Sequence, residues 1–124
     1  MSEKEDLNVV KTMLEKIEKR YGSVPLVNQV LSERSDLFIP SVKYGTAVME
    51  GKSSFDDKFR YLLAVAAATA LGSEHCVEVQ LDHAVRAGAT RDEVLETMVI
   101  ASFMGMTRSQ SVAFRKFRDK FGGP

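Results

Sequence analysis

Apolar positions recur every three or four residues along almost the whole chain, and strand-type alternation is nearly absent. Leu7, Val10, Leu14, Ile17 and Tyr21 mark one face of a first helix, which Ser2-x-x-Glu5 opens as a capping box and Gly22 ends. Pro25 fits the first position of a short helix reaching about Ser32. A break over Ser35–Ile39 leads to Pro40, and a third helix is predicted from there to Met49, stopped by Gly51. Asp56 and Asp57 after Ser53-Ser54 signal the next start, and Gly72 closes that helix after Leu71. Its alanine-rich stretch, Ala64 to Ala70, permits close contact on several faces, as expected of a central helix. Ser73 opens a helix to Ala87, stopped by Gly88. Thr90-x-x-Glu93 is a second capping box, opening a helix carried to Met104 by Val94, Leu95, Met98, Val99, Ala101 and Phe103. Gly105 is expected to break it, with Thr107 starting a last helix to about Phe121 and Gly122-Gly123-Pro124 left as a frayed tail. The pattern predicts six or seven helices in one all-α domain spanning residues 1–124.

Composition narrows the function classes. Lys plus Arg and Asp plus Glu are both 17, so the net charge is zero and nothing global draws the chain to nucleic acid or an anionic membrane. The last helix holds Arg108, Arg115, Lys116, Arg118 and Lys120 against Asp119, but no aromatic platform spacing accompanies them, and a solvated face explains them better. Val112, Phe114 and Phe117 beside them read as core or interface positions. The apolar run Tyr61–Leu71 is too short to span a bilayer. Cys76 is the only cysteine, which excludes an intrachain disulfide scaffold and a Cys-rich zinc site. The first residues, Met-Ser-Glu-Lys-Glu-Asp, lack an apolar signal region, so the expectation is a cytoplasmic protein in a reducing compartment.

Residues 73–90, Ser-Glu-His-Cys-Val-Glu-Val-Gln-Leu-Asp-His-Ala-Val-Arg-Ala-Gly-Ala-Thr, resemble the signature of the carboxymuconolactone decarboxylase / alkylhydroperoxidase D superfamily. In that signature Cys-x-x-Cys-x-x-x-His is followed by an alanine-rich stretch and Gly-Ala-Thr/Ser. Upstream, Tyr21-Gly22-Ser23-Val24-Pro25 is similar to a Gly-x-Val-Pro motif of many members. Asp56-Asp57-Lys58-Phe59-Arg60-Tyr61-Leu62-Leu63-Ala64 is similar to their Asp-x-Lys-x-Arg-Glu-Leu-Ile-Ala helix. Arg91-Asp92-Glu93-Val94-Leu95-Glu96 and Gly105 continue the likeness, with the signature region at about residues 55–105. The resemblance implies an all-α alkylhydroperoxidase D-like domain, assembled as a homotrimer or homohexamer. It also implies a site in which two cysteines cycle between dithiol and disulfide while a glutamate and the signature histidine relay protons.

On that alignment the glutamate position is Tyr61, the first cysteine is Ser73 and the histidine is Gln80, so only Cys76 survives. Serine forms no disulfide and an amide carries no titratable proton, so the dithiol route is expected to be lost. The histidine is also expected to matter in the lactone decarboxylase branch, so its loss counts against that activity too. The implied function is a divergent antioxidant, peroxiredoxin-type member whose thiol chemistry runs through Cys76 alone with an external thiol. The alternative is a non-catalytic binding or structural oligomer. A lyase using His83 is a third reading.

Cys76 falls in the first turn of its helix, where the dipole favours an anion, but a free cysteine is more often a small buried hydrophobe. Gln80 and His83 share its face, although Cys76 and His83 are two turns apart, about 10 Å of rise. His83 therefore reads either as a proton carrier for something bound there or as a histidine packed at a helix interface. Tyr61 either donates into the pocket or plugs it. With Ser73 and Gln80 it forms the candidate binding set for a small molecule. His75, Glu78 and Asp82 have spacing loosely like a metal site. The lack of a second histidine makes a charged face with Asp82–Arg86 pairing the better account, and no metal or other cofactor is expected. The methionines, among them Met98, Met104 and Met106, suit either a plastic pocket or core gaps.

Overall fold

A computed structural model describes residues 2–123, and the tail residue Pro124 lies outside them. Six helices and no strand occur among the described residues, giving the all-α class. They fall into two compact units, one ending at Ser53 and one beginning at Ser54.

The first unit holds α1 (Glu3–Tyr21), α2 (Leu26–Leu31) and α3 (Ser35–Glu50). Ser2 caps α1 by accepting from the Glu5 N–H at 3.1 Å. The expected apolar face is partly realised. Val10 and Ile17 are buried and Leu14 and Tyr21 pack beside them, but Leu7 is 62% exposed, so the core begins one turn later than the pattern suggests. Phe38 and Ile39 complete the cluster from α3, and Arg20 pairs with Glu50. Pro25 is the N-cap of α2 rather than its first helical residue.

The expected break before Pro40 is absent. Helix α3 starts at Ser35 and runs through Pro40. Pro40 has no N–H to give the carbonyl one turn back, at a cost of order 3 kcal/mol in a helix interior. Burial of Phe38 and Ile39 offsets that cost, because only a helical turn places both on the α1 face. At its start the Arg34 guanidinium holds the Asp36 carboxylate through two hydrogen bonds, of 2.9 and 2.6 Å.

The second unit holds α4 (Asp57–Leu71), α5 (Glu74–Arg86) and α6 (Arg91–Phe121). Both α5 and α6 pack chiefly on α4, as its alanine-rich sequence predicts. Asp56 caps α4 by accepting from the Phe59 N–H at 2.8 Å. Leu62 and Val65 of α4 meet Ala84, Ala89 and Val94, with Tyr61, Leu81 and Met98 packed against them. The connections are tight because Gly72 and Gly88 take positive φ, 69° and 100°, which lets the chain fold back on the helix it has left. The Ser73 N–H then reaches the Ala68 carbonyl at 3.0 Å, and the Ala89 N–H reaches Ala84 at 2.9 Å, as in a Schellman end.

The expected break at Gly105 is also absent, and α6 is one helix of 31 residues. Its first turn carries the complete Thr90–Glu93 capping box. Thr107, expected to open a new helix, turns its hydroxyl back to the Met104 carbonyl at 2.9 Å, and Ser109 does the same to Gly105 at 3.1 Å. Both hydroxyls serve the helix already present instead of capping a new one. Among the described residues beyond Ala101 none is buried, so Val112, Phe114 and Phe117 are not core positions of this chain.

Candidate functional site

The candidate residues lie on α4, on α5 and at the α4–α5 connection. Ser73 is the N-cap of α5, yet its hydroxyl makes no capping hydrogen bond. Cys76 follows in the first helical turn and is exposed. One turn on, Gln80 is half-buried, and its Oε1 is wholly shielded from solvent without a hydrogen-bond partner. One turn further, His83 is buried at 8% exposure. The Cys76–Gln80–His83 face of α5 therefore descends from solvent to core over about 10 Å.

Tyr61 meets this face from α4. Its ring centroid lies 5.1 Å from that of His83, with the planes inclined at 51°. The sequence singled out both residues without pairing them, since a contact across two helices leaves no mark in either helix's own periodicity. The fold thus joins Tyr61 to His83, while Cys76 stands two turns away at the exposed end. An unpaired amide oxygen in a shielded position costs roughly 1–3 kcal/mol. Gln80 Oε1 thus retains an acceptor for a ligand that reaches it.

His75, Glu78 and Asp82 are all exposed. No group of three or more His, Cys, Asp or Glu side chains among the described residues is arranged to hold a metal ion. Met98 packs against the core, whereas Met104 and Met106 are about half exposed. Two surface hollows lie elsewhere. One of about 910 Å3, in the first unit, is lined by Met13, Arg20, Tyr21 and Thr46 among others. The other, of about 720 Å3, lies along Phe114 and Phe117 of α6. No helix among the described residues is long and apolar enough to cross a membrane.

Outside the candidate set, Lys58 at the start of α4 pairs with Glu93 at the start of α6, 2.9 Å apart. The Thr90 N–H donates to Glu93 at 3.0 Å, and this bond, followed by the Lys58 ammonium, holds the Glu93 carboxyl below its ordinary range. The same pairing raises Lys58. The pair clamps the start of α6 to the start of α4 and leaves the face carrying Cys76 untouched.

The family model described as "Carboxymuconolactone decarboxylase family" matches residues 37–119, from within α3 to near the end of α6. No curated protein and no solved structure matches the chain.

Proposed function

The chain belongs to the carboxymuconolactone decarboxylase family, and from that premise we propose that it is a single-thiol member of the antioxidant, peroxiredoxin-type branch. The carrying observation is the placement of Cys76, an exposed thiol in the first turn of α5, whose thiolate form is the nucleophile of peroxide chemistry. Attack of that thiolate on the terminal oxygen of a peroxide breaks the O–O bond. It gives Cys76 sulfenic acid and, after protonation, an alcohol or water. Ser73 cannot resolve the sulfenic acid. An external thiol does so, releasing water as it forms a mixed disulfide, and a second thiol then regenerates Cys76. The reading places the protein in the cytoplasm, whose reducing thiols supply both equivalents.

A second reading is a binding protein without turnover, and the shielded, unpartnered Oε1 of Gln80 favours it. The test is to add peroxide and then a dimedone-type probe that adds to sulfenic acids. Labelling at Cys76, together with peroxide consumption sustained by a monothiol, supports the single-thiol reading. A folded protein with neither sinks it and leaves the binding reading. The homotrimer or homohexamer expected for the family belongs to both.

A further inference from the structure

Helix α6 carries two apolar stripes on opposite faces. Val94, Met98 and Ala101 turn toward α4 and the core. At 100° per residue, Phe103 lies some 200° round from Ala101, and it opens onto a second stripe that the chain leaves uncovered. At its middle is Gln110. On either side stand Met106 and Phe114, then Phe103 and Phe117, then Val99 and Phe121. The six apolar members are 46–72% exposed. The spacings, 4-3-4-4-3-4, read the same in both directions about Gln110.

From this geometry we infer that two copies of the chain pair through α6, antiparallel, about a twofold axis at Gln110. The inference does not depend on the thiol chemistry. A palindromic stripe is its own complement when reversed: Val99 meets Phe121, Phe103 meets Phe117, Met106 meets Phe114 and Gln110 meets itself, as an isologous interface requires. Taking ~150–250 Å2 for each ring, the four phenylalanines and their aliphatic neighbours offer roughly 700 Å2 per copy. A standard interface takes about 800 Å2 from each partner. A polar Gln110 amid apolar positions fixes register, as single polar core positions do in coiled coils.

Charge selects the orientation. Residues 102–121 hold five cations and one acid, net +4, while residues 54–101 hold four cations and eight acids, net −4. A parallel pair would set the two 115–120 segments, each with four cations and one acid, side by side. The antiparallel pair lays Arg115, Lys116, Arg118 and Lys120 along the uncharged turn 100–105 of the other copy, toward its acidic end.

The test uses cysteines placed in a Cys76→Ser background and bridged with a short bis-maleimide. Gln110→Cys is expected to link to itself. Val99→Cys and Phe121→Cys are expected to link to each other when the two variants are mixed, and neither alone. Val112→Cys, on the opposite face, is expected not to link. Light scattering of the unmodified protein, which needs no substitution, is expected to give an even number of chains at micromolar concentration. Val99→Cys linking to itself would establish a parallel pair and overturn the inference. A monomer or trimer mass would also overturn it, including a monomer that sediments with anionic vesicles through this face.

Discussion

The phenol of Tyr61 on α4 packs at 5.1 Å, centroid to centroid, against the imidazole of His83 on α5, at a 51° tilt. Aromatic pairs in such geometry contribute about 0.5–1.5 kcal/mol beyond the area they bury. A double-mutant cycle with Tyr61→Leu and His83→Leu is expected to show coupling of that size in urea unfolding. Additivity within error would mean that the rings merely coexist.

Replacing Cys76 by Ser is expected to abolish both sulfenic acid labelling and monothiol-driven peroxide consumption. Oxidation of the wild type should yield no intramolecular disulfide, since the second thiol of the family route is Ser73. A dithiol reductant should then sustain no faster turnover than the same concentration of monothiol groups, and a much faster dithiol rate, lost in Cys76→Ser, would show that a dithiol-specific route survives.

Ser73→Cys is expected to form a 73–76 disulfide on mild oxidation. Residues three apart across a helical turn have Cα atoms about 5 Å apart, within disulfide range. The Ser73 hydroxyl makes no capping bond, so its loss costs α5 little. Disulfide formation alone should not restore peroxidase turnover. Adding Tyr61→Glu and Gln80→His supplies the proton relay, and these residues should act as a unit. A thiol count after oxidation reports the bridge, and a folded variant without it would refute the alignment of Ser73 with a cysteine position.

The Lys58–Glu93 pair predicts an acid and an alkaline limb in stability. Glu93 is held below its ordinary value of 4.5, so its contribution is present above that value and is lost as pH falls through the folded value. Lys58 is held above 10.5, so its contribution is present below that value and is lost as pH rises through the folded one. Both groups are partly exposed, so the limbs should be shallow and should weaken with salt. Glu93→Gln is expected to flatten the change in urea midpoint between pH 6 and about pH 3, and Lys58→Met the change above pH 10. Thr90→Ala, which removes the cap itself, should cost about 1 kcal/mol at any pH.

Gly105→Ala is expected to stabilise the protein by about 0.5–1 kcal/mol. Gly105 lies inside α6, and a methyl group there would meet nothing within 4 Å. A loss of stability by thermal unfolding would mean that the helix needs a glycine at this point.

Gly105 also shows where sequence reasoning ran short. The starts at Asp56 and Thr90 and the stops at Gly22, Gly72 and Gly88 were legible, because each rests on a local hydrogen bond or dihedral. Pro40 and Gly105 carry equally local breaking signals, but those signals are costs that other contacts can outweigh. At Pro40 the burial of Phe38 and Ile39 outweighs it, and at Gly105 the hydroxyls of Thr107 and Ser109 turn back into the helix. Within the candidate site, the alignment named Tyr61, Ser73, Cys76 and Gln80 one by one. The Tyr61–His83 stack was not legible, because it depends on how α5 rolls against α4.

The half of α6 beyond Ala101 buries nothing within its own chain, so nothing tertiary there defends the backbone. A stretch of about 20 residues held by propensity alone opens often, since most helical stability in proteins comes from tertiary packing rather than from propensity. Its amide protons should therefore exchange with solvent within seconds in dilute solution, while those of α4 persist. Its arginines and lysines should be the first bonds trypsin cuts. Both rates should fall as the protein is concentrated, which makes this half-helix a built-in gauge of how much protein surrounds it.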